Sequence, residues 1–170
     1  MEEGSQRAAG SGAYRMPAEW SSHQATWISW PHNTDTWPGH LPGVERTMAE
    51  AVGALATSEL VRINVRDAAH GYHVQKLLAG RVPPERVFLH QFPTNDAWCR
   101  DHGAIFVTRN AAEGAPLLAL DFEYNAWGGK YPPYDLDNAI PGRMAEALGV
   151  PVRRIPMVLE GGSIEVNGKG

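Results

Sequence analysis

The chain has 170 residues, 43% of them hydrophobic, and a formal net charge of −4 from 15 basic and 19 acidic residues. This size and composition suit a single domain with its own core, and the lack of a basic stripe argues against nucleic acid as a partner. No apolar run reaches the roughly 18 residues needed to span a membrane, and the single cysteine, Cys99, excludes an intrachain disulfide and indicates a reducing, cytoplasmic location.

The first 14 residues are dominated by Glu, Gly, Ser, Gln and Ala and lack a hydrophobic signal-peptide core. We therefore predict a disordered tail over 1–14. From residue 15 onward, β-branched and aromatic runs predict strands, and apolar residues at helical spacing predict helices. In chain order we expect a strand at 25–30, a helix at 44–56, a strand at 60–65, a helix at 68–79, strands at 87–92, 104–108 and 117–122, a helix at 138–148, and strands at 152–155 and 164–166.

This alternation of strands and helices predicts an α/β or α+β fold. The order repeats loosely, with a strand, a helix and a strand over 25–65 and two strands, a helix and a strand over 104–155. A turn around 113–114 joins two of the predicted strands. The last strand, 164–166, enters a predicted type I′ turn at Asn167-Gly168 with no second strand after it. An unpaired edge of that kind is marginal, so we expect the N-terminal part of a longer protein.

A cluster of charged and aromatic residues precedes the predicted strand at 104–108: Asn95-Asp96-Ala97-Trp98-Cys99-Arg100-Asp101-His102-Gly103. Charged groups beside a buried strand are costly unless they are paired with each other or with a ligand. Asp96 and Asp101 could accept parallel hydrogen bonds from a planar cation, with Trp98 as an aromatic wall. An internal salt bridge from Arg100 to either aspartate accounts for the same residues equally well.

Cys99 and His102 form a second candidate, because a thiol and an imidazole can make an activated nucleophile. On a strand, however, residues 99 and 102 would point to opposite faces, and a lone buried cysteine is usually inert. One cysteine and irregularly spaced histidines do not predict a metal site either. We therefore expect neither a nucleophile nor a metal ligand at Cys99.

Two glycine-containing segments are further candidates. Glu160-Gly161-Gly162 precedes a predicted strand and suggests close backbone approach to a ligand or to another segment, although an ordinary turn is the simpler interpretation. Asn125-Ala126-Trp127-Gly128-Gly129-Lys130-Tyr131 is either a lid or rim loop or a plain surface loop anchored by Trp127.

Taken together, five segments resemble the agmatine deiminase family of the bacterial peptidyl-arginine deiminase superfamily. They are Met16-Pro17-Ala18-Glu19-Trp20, Thr26-Trp27 through Trp30-Pro31-His32-Asn33, Asn95 through Asp101, Asn125 through Tyr131, and Glu160-Gly161-Gly162-Ser163. The resemblance implies a pentein fold, an α/β-propeller of five ββαβ modules around a central site. Residues 15–170 would then be the N-terminal part of a single deiminase domain, truncated at its C-terminus after about two and a half modules.

The resemblance also implies a chemistry, the hydrolysis of a C–N bond in a linear amidine by a cysteine thiolate, without a metal or other cofactor. By their positions in the family's motifs, Asp101 would bind the guanidinium, Trp98 would form the aromatic wall, and Glu160 would orient the catalytic histidine. Asp96 and Trp127 are expected in the substrate site. The family's His-x-Asp motif and its nucleophilic cysteine lie downstream of residue 170, so we expect the isolated chain to be inactive.

We therefore expect part of an agmatine deiminase, which converts agmatine, a small cationic guanidine, to N-carbamoylputrescine and ammonia in putrescine synthesis. Three alternatives stay open: a peptidyl-arginine deiminase, a non-catalytic truncated remnant or binding module, and a complete thiol enzyme built on Cys99 and His102. His102 stands where the family commonly has threonine. A second copy of the chain or a complementing C-terminal chain stays open as a partner, whereas a membrane is not expected.

Overall fold

Two β-sheets organise the chain in this computed structural model, which describes residues 14–109 and 117–168. The strands are β1 (Tyr14–Arg15), β2 (Ala25–Ser29), β3 (Leu60–Asn64), β4 (Val87–His90), β5 (Ile105–Arg109), β6 (Leu117–Glu123) and β7 (Val152–Val158). The helices are α1 (Leu41–Leu55), α2 (Ala68–Leu78), α3 (Cys99–His102), α4 (Ala126–Gly129), α5 (Asp135–Asn138) and α6 (Ile140–Leu148), with 3-10 turns at Pro84–Arg86 and Gly161–Ser163. The α/β class is therefore observed.

The first sheet is parallel, with the order β2-β3-β4. Parallel neighbours need crossover connections, and α1 and α2 provide them. Val61 and Ile63 alternate along β3 and are fully buried against the two helices. The core of this unit consists of Trp30, Ala49, Val52, Ala56, Val61, Ile63, Val65, Val74 and Leu78.

A buried polar contact joins the end of β2 to both helices. Trp30 is fully buried, and its Nε1 donates to Glu45 Oε1 of α1 at 2.9 Å. His73 Nε2 of α2 lies 2.8 Å from the same oxygen. Because Glu45 Oε1 is in contact with both an indole and an imidazole nitrogen, this oxygen is buried with hydrogen-bond partners.

The second sheet has the order β1-β5-β6-β7 and mixed directions. β5 runs antiparallel to both β1 and β6, whereas β7 runs parallel to β6. The long connection from β6 to β7 contains α4, α5 and α6, and α6 packs on β6 with Ile140, Met144 and Ala145 buried. The predicted order of two strands, a helix and a strand is therefore confirmed for this part of the chain.

The predicted boundaries differ from the structure in several places. α1 begins at Leu41, earlier than predicted, because Pro42 lies in its first turn, where proline is well tolerated. The segment between the predicted strand at 117–122 and the predicted helix at 138–148 contains two short helices, α4 and α5. Tyr14, which was predicted to lie in the disordered tail, is part of β1 and pairs with Arg109 of β5. The rest of that tail and the turn around 113–114 lie outside the described residues.

The predicted strand at 164–166 is wrong. Residues 164–167 are irregular, and no strand of the described chain pairs with them. A lone strand would leave its backbone groups unpaired. Side chains from elsewhere bind this segment instead, with Arg100 donating to Ile164 O and Arg15 donating to Gly168 O. Among the described residues, no helix is both long and apolar enough to cross a membrane.

We expect Ile63→Ala to lower the free energy of unfolding by about 2–4 kcal/mol, because it opens a cavity in the core beneath α1 and α2. Met157→Ala is the matched control, since Met157 is 53% exposed on β7, and its effect should stay within about 0.5 kcal/mol. Chemical denaturation measures both values. Equal losses would contradict the assignment of the core.

Candidate functional site

The segments that carry the candidate residues follow the carboxyl ends of four strands. Residues 32–36 follow β2, 91–101 follow β4, 124–129 follow β6 and 159–162 follow β7. Strands β2 to β4 are parallel, as are β6 and β7. In open α/β sheets, binding sites lie outside the carboxyl ends of the strands, so the topology brings separate loops to one region.

The charged cluster folds as a loop that ends in one helical turn, α3. The amides of Asp101 and His102 both donate to Trp98 O, at 2.9 and 3.0 Å. Because residues three apart share a face of a helix, the expectation that Cys99 and His102 point to opposite faces is wrong. Both side chains approach Ser29 at the end of β2.

Ser29 lies between the thiol and the imidazole. Its Oγ accepts from Asn64 Nδ2 at 3.1 Å and lies 3.4 Å from His102 Nε2. Burial raises the pKa of the Cys99 thiol to about 12, and Asp137 adds to this rise. Burial also lowers the pKa of His102 to about 4. Near neutral pH both groups are therefore uncharged, which does not support a thiolate nucleophile.

Asp101 is held by the Glu160-Gly161-Gly162 segment. Gly162 N donates to Asp101 Oδ1 at 3.2 Å. A Cβ at Gly161 would overlap Arg100 O, and a Cβ at Gly162 would overlap Asp101 Oδ1. The close backbone approach suggested by the two glycines is therefore present, and it is made to the chain itself, at α3.

Asp101 and Glu160 are neighbouring carboxylates, and within the described ranges neither forms an ion pair. Burial raises the pKa of Asp101, and the charge of Glu160 raises it further. Glu160 Oε1 is buried and has no hydrogen-bond partner among residues 14–109 and 117–168. Arg100 forms its ion pair with Glu19 instead, in the described part of the chain. The salt bridge from Arg100 to Asp101 or Asp96, considered from the sequence, is therefore not formed.

Asp96 uses both of its oxygens within the protein. Oδ2 accepts from Thr36 Oγ1 and from Asn33 Nδ2, and Oδ1 accepts from Ala97 N at 2.7 Å. These bonds tie the loop before α3 to the loop after β2. In this arrangement Asp96 organises the site and offers fewer free lone pairs to a ligand than Asp101 or Glu160.

Two predicted aromatic residues, Trp98 and Trp127, are brought into contact. Their ring centroids lie 5.5 Å apart in an edge-to-face arrangement. Trp37 lies 6.5 Å from Trp98, whereas Tyr124 and Tyr131 lie 5.9 and 5.8 Å from Trp127. The rings form an aromatic wall beside α3, and Trp127 is 40% exposed.

Trp127 lies in a left-handed helical turn, a conformation that the sequence analysis did not predict. Ala126 and Trp127 have φ of 51° and 57°, and the glycines that follow have φ of 79° and 76°. Left-handed geometry costs a non-glycine residue roughly 1–2 kcal/mol. Asn125 stabilises the turn, because its Oδ1 accepts from Gly128 N and its carbonyl from Gly129 N. Strain of this kind concentrates at functional sites.

Sequence reasoning also missed two buried residues, Tyr124 and Asp137. Tyr124 is 3% exposed. Burial raises the pKa of Tyr124, and the charges of Asp137, Asp101, Glu160 and Asp96 raise it further, in that order. The tyrosine therefore lies in the field of all four carboxylates. Nothing in its local pattern, a residue at the end of a strand, distinguishes it from ordinary core.

The acidic character of the site does not extend to a metal centre. Within 14–109 and 117–168, no group of three or more His, Cys, Asp or Glu side chains is arranged to hold a metal ion. The arrangement of Asp101, Glu160 and Trp98 suits an organic cation instead, because carboxylates accept its N–H groups and an aromatic face attracts its charge.

Comparison with known proteins identifies relatives along nearly the whole chain. The model of a family described as Porphyromonas-type peptidyl-arginine deiminase matches residues 15–170. A Shewanella baltica protein named as a candidate agmatine deiminase is 35% identical over 161 residues, covering 92% of this chain and 41% of the relative.

Solved structures show the same partial coverage. The agmatine deiminase of Enterococcus faecalis superimposes with a TM-score of 0.80 at 29% identity, covering 92% of this chain and 42% of that one. A Cys-to-Ser variant of the C. jejuni agmatine deiminase with substrate bound superimposes with a TM-score of 0.78 at 28% identity. The match covers 93% of this chain and 44% of that one. The chain thus spans less than half the length of these relatives.

We expect Gly162→Ala to cost about 1–3 kcal/mol of stability, because the added methyl would overlap the Asp101 carboxylate. Gly142→Ala is the matched control. Gly142 lies within α6 with no atom within 4 Å of the added methyl, so this change should stabilise the protein by about 0.5–1 kcal/mol. Thermal or chemical unfolding measures both, and a neutral Gly162→Ala would contradict the close contact with α3.

We expect Cys99 to react with iodoacetamide at about pH 8 more than a hundredfold slower than an ordinary thiol, because its raised pKa leaves almost no thiolate. Denatured protein provides the control, since the same thiol should then react at the ordinary rate. His102→Gln should not change the rate. Fast alkylation that depends on His102 would restore the thiol-enzyme alternative.

Proposed function

The chain belongs to the Porphyromonas-type peptidyl-arginine deiminase family, and on that basis we propose that it forms the N-terminal, guanidinium-binding part of an agmatine deiminase. The observation that carries the proposal is the pairing of Asp101 with Glu160 beside Trp98. Gly162 N donates to Asp101 Oδ1, and Glu160 presents a buried oxygen without a partner among residues 14–109 and 117–168. A guanidinium group supplies positive charge and hydrogen-bond donors to Asp101, and the proton-transferring group supplies the partner of the Glu160 oxygen.

We propose distinct roles for the three side chains. Asp101 accepts hydrogen bonds from the guanidinium nitrogens, and Trp98 bounds the planar cation on one side, where cation–π attraction adds to binding. Glu160 orients the group that transfers protons during hydrolysis. Trp127 and Asp96 support the substrate site, Trp127 through its contact with Trp98 and Asp96 through its bonds to Thr36 and Asn33.

The covalent step of the proposed reaction requires a cysteine thiolate that attacks the guanidinium carbon, after which ammonia leaves and water releases N-carbamoylputrescine. Cys99 is the only cysteine of this sequence. With a pKa raised to about 12, it does not provide a thiolate near neutral pH. We therefore propose that these 170 residues do not hydrolyse agmatine alone.

The loose repeat supports a propeller of ββαβ modules, of which this chain contributes about two and a half. In our proposal, the unit built around β5, β6, α6 and β7 is one such module, and β2, α1 and β3 form the βαβ part of another. Both direct the carboxyl ends of their parallel strands to the site, which is the geometry required when every module adds a loop to a common centre.

A deiminase of peptidyl-arginine is the second candidate, favoured by the description of the matching family. The two substrates share the guanidinium group and differ at the other end, where agmatine carries a free amine and a peptide does not. The residues that bind the guanidinium therefore do not distinguish them. Direct comparison of agmatine with an arginine-containing peptide does.

Ammonia release tests the division of the catalytic machinery. The chain should be inactive alone and active when mixed with the C-terminal part of the Shewanella baltica relative, beyond the matched region. Agmatine should be preferred to an arginine peptide. Hydrolysis by the chain alone that survives Cys99→Ala would contradict the proposal, and inactivity of every mixture would favour a non-catalytic remnant or binding module.

We expect Asp101→Asn to weaken agmatine binding at least about tenfold, because a charge-assisted hydrogen bond is lost. Glu146→Gln is the matched control, since it removes an exposed carboxylate of α6. Because the folded pKa of Asp101 is raised and binding needs the ionised form, affinity should be high above that pKa and fall as the pH is lowered through it. Titration calorimetry measures both effects; equal affinities in the two variants would contradict the role of Asp101.

A further inference from the structure

The short helix α5 and the loop before α3 are tied together by reciprocal hydrogen bonds. Asn95 Oδ1 accepts from the amides of Leu136 and Asp137, at 2.8 and 3.2 Å. Asp137 Oδ1 accepts from the amides of Asn95 and Asp96, at 2.7 and 3.4 Å. Tyr134, at the N-terminus of α5, provides no side-chain cap, so Asn95 caps this helix from the opposite segment.

Asp137 is an unusual residue to bury for packing alone. It is 2% exposed, and no lysine or arginine in the described ranges lies within ion-pair distance of it. Its nearest basic group is His102 Nε2, 4.0 Å from Oδ1. His102 is itself 1% exposed, and its Nδ1 has no hydrogen-bond partner among the described residues. Burying a carboxylate without a cation beside it costs free energy. The hydrogen bonds that Asp137 makes go to the loop before α3, residues 95–98, which we call the site loop.

The site loop leads directly into the candidate guanidinium-binding residues. Asn95 and Asp96 are followed by Trp98, whose carbonyl accepts from the amide of Asp101. A shift of the backbone at 95–96 therefore moves both the aromatic wall and the carboxylate. The other end of α3 is fixed separately by the contact with Gly161 and Gly162.

We propose that Asp137 is a positioning residue of the guanidinium site, holding Trp98 and Asp101 in place through the amides of Asn95 and Asp96. This inference rests on the proposed function. Asp137 does not touch the substrate and acts only through the loop, and its negative charge is what makes it a strong acceptor for two amides at once.

Protonation weakens this acceptor, so the position of the loop depends on pH. The groups that face Asp137 are Asp96, Cys99 and His102, Tyr124 after β6, and Asp135 on α5. Cys99, His102 and Tyr124 are uncharged near neutral pH. Burial raises the pKa of Asp137 to about 7 despite the lowering by the amides of Asn95 and Asp96, and the charges of Asp96 and Asp135 add smaller increases. The loop is therefore held most firmly above about pH 7.

Amide hydrogen exchange at Asn95 and Asp96, corrected for intrinsic rates, tests the inference between about pH 5 and 9. In the wild type, protection should fall about tenfold as the pH is lowered through about 7, and the Trp98 indole resonance should move with the same midpoint. Asp137→Asn keeps an acceptor oxygen without the charge, so protection should be intermediate and the midpoint lost. Asp137→Ala should lose protection about tenfold or more at every pH, while amides of β3 stay protected.

Asp135→Asn is the matched control, because Asp135 is an exposed carboxylate on the same helical turn and, among the described residues, its side chain accepts from the Asn95 side chain and not from the loop amides. It should keep wild-type protection at high pH and a clear midpoint, moved slightly lower because the charge of Asp135 no longer adds to the raised pKa of Asp137. Full protection in Asp137→Ala, or a midpoint that persists in Asp137→Asn, would overturn the inference. The Asn variant keeps the test decisive if the Ala variant fails to fold.

Agmatine binding by the same variants separates this inference from the function on which it rests. Asp137→Ala should bind agmatine about tenfold more weakly than Asp135→Asn, and Asp137→Asn should lose the component of the pH profile centred near 7. Absence of agmatine binding by the wild type would overturn the proposed function, whereas the exchange data decide the positioning of the loop. Equal agmatine affinity in all folded variants would overturn the positioning role.

Discussion

The contact between the Gly161-Gly162 backbone and α3 is the interaction on which the candidate site depends. Two segments about sixty residues apart meet so closely that neither glycine has room for a Cβ. Glu160 is thereby brought beside Asp101, and its charge adds to the rise that burial causes in the pKa of that carboxyl. Two neighbouring acidic groups without an internal cation are unfavourable in a folded protein, and a cationic ligand removes that penalty. The contact between Gly161-Gly162 and α3 therefore accounts for the unfavourable electrostatic energy of the two carboxylates and for the preference for a cation that follows from it.

The candidate site contains several energetically unfavourable features, and the surrounding structure stabilises them. Ala126 and Trp127 are held in left-handed geometry by Asn125, and Asp137 is buried with no lysine or arginine of the described ranges in ion-pair contact. These features lie at the ends of strands that are otherwise regular. The parallel sheet with its apolar core provides the rigid support, since Trp30 and Glu45 fix the end of β2 close to the site. Local rules are broken at the site and kept elsewhere, as expected for a functional region.

The sequence was sufficient to predict the strands β2 to β7 and the helices α1, α2 and α6, because apolar periodicity follows directly from burial on one face. The arrangement of the strands in two sheets was not predicted. Motif resemblance, rather than local periodicity, is the basis on which Asp101, Trp98 and Glu160 are proposed as site residues. The sequence did not predict the helical turn α3. The apolar run after Gly103 favoured a strand, whereas the turn is formed by the backbone hydrogen bonds to Trp98 O. Asp137 was missed because its partners, Asn95 and Asp96, lie about forty residues away. A short polar loop gives no local sign of such a bond.

The most direct test of the central claim is an NMR titration that follows the Gly162 amide and the Trp98 indole while agmatine is added. Putrescine is the matched control ligand, because it keeps a free amine and lacks the guanidinium. A guanidinium site at Asp101 predicts saturable shifts of both resonances with agmatine and none with putrescine, since the Gly162 amide donates to the carboxylate that would bind the guanidinium. Equal responses to the two ligands, or shifts confined to other residues, would contradict the assignment of Asp101, Glu160 and Trp98 as a guanidinium site.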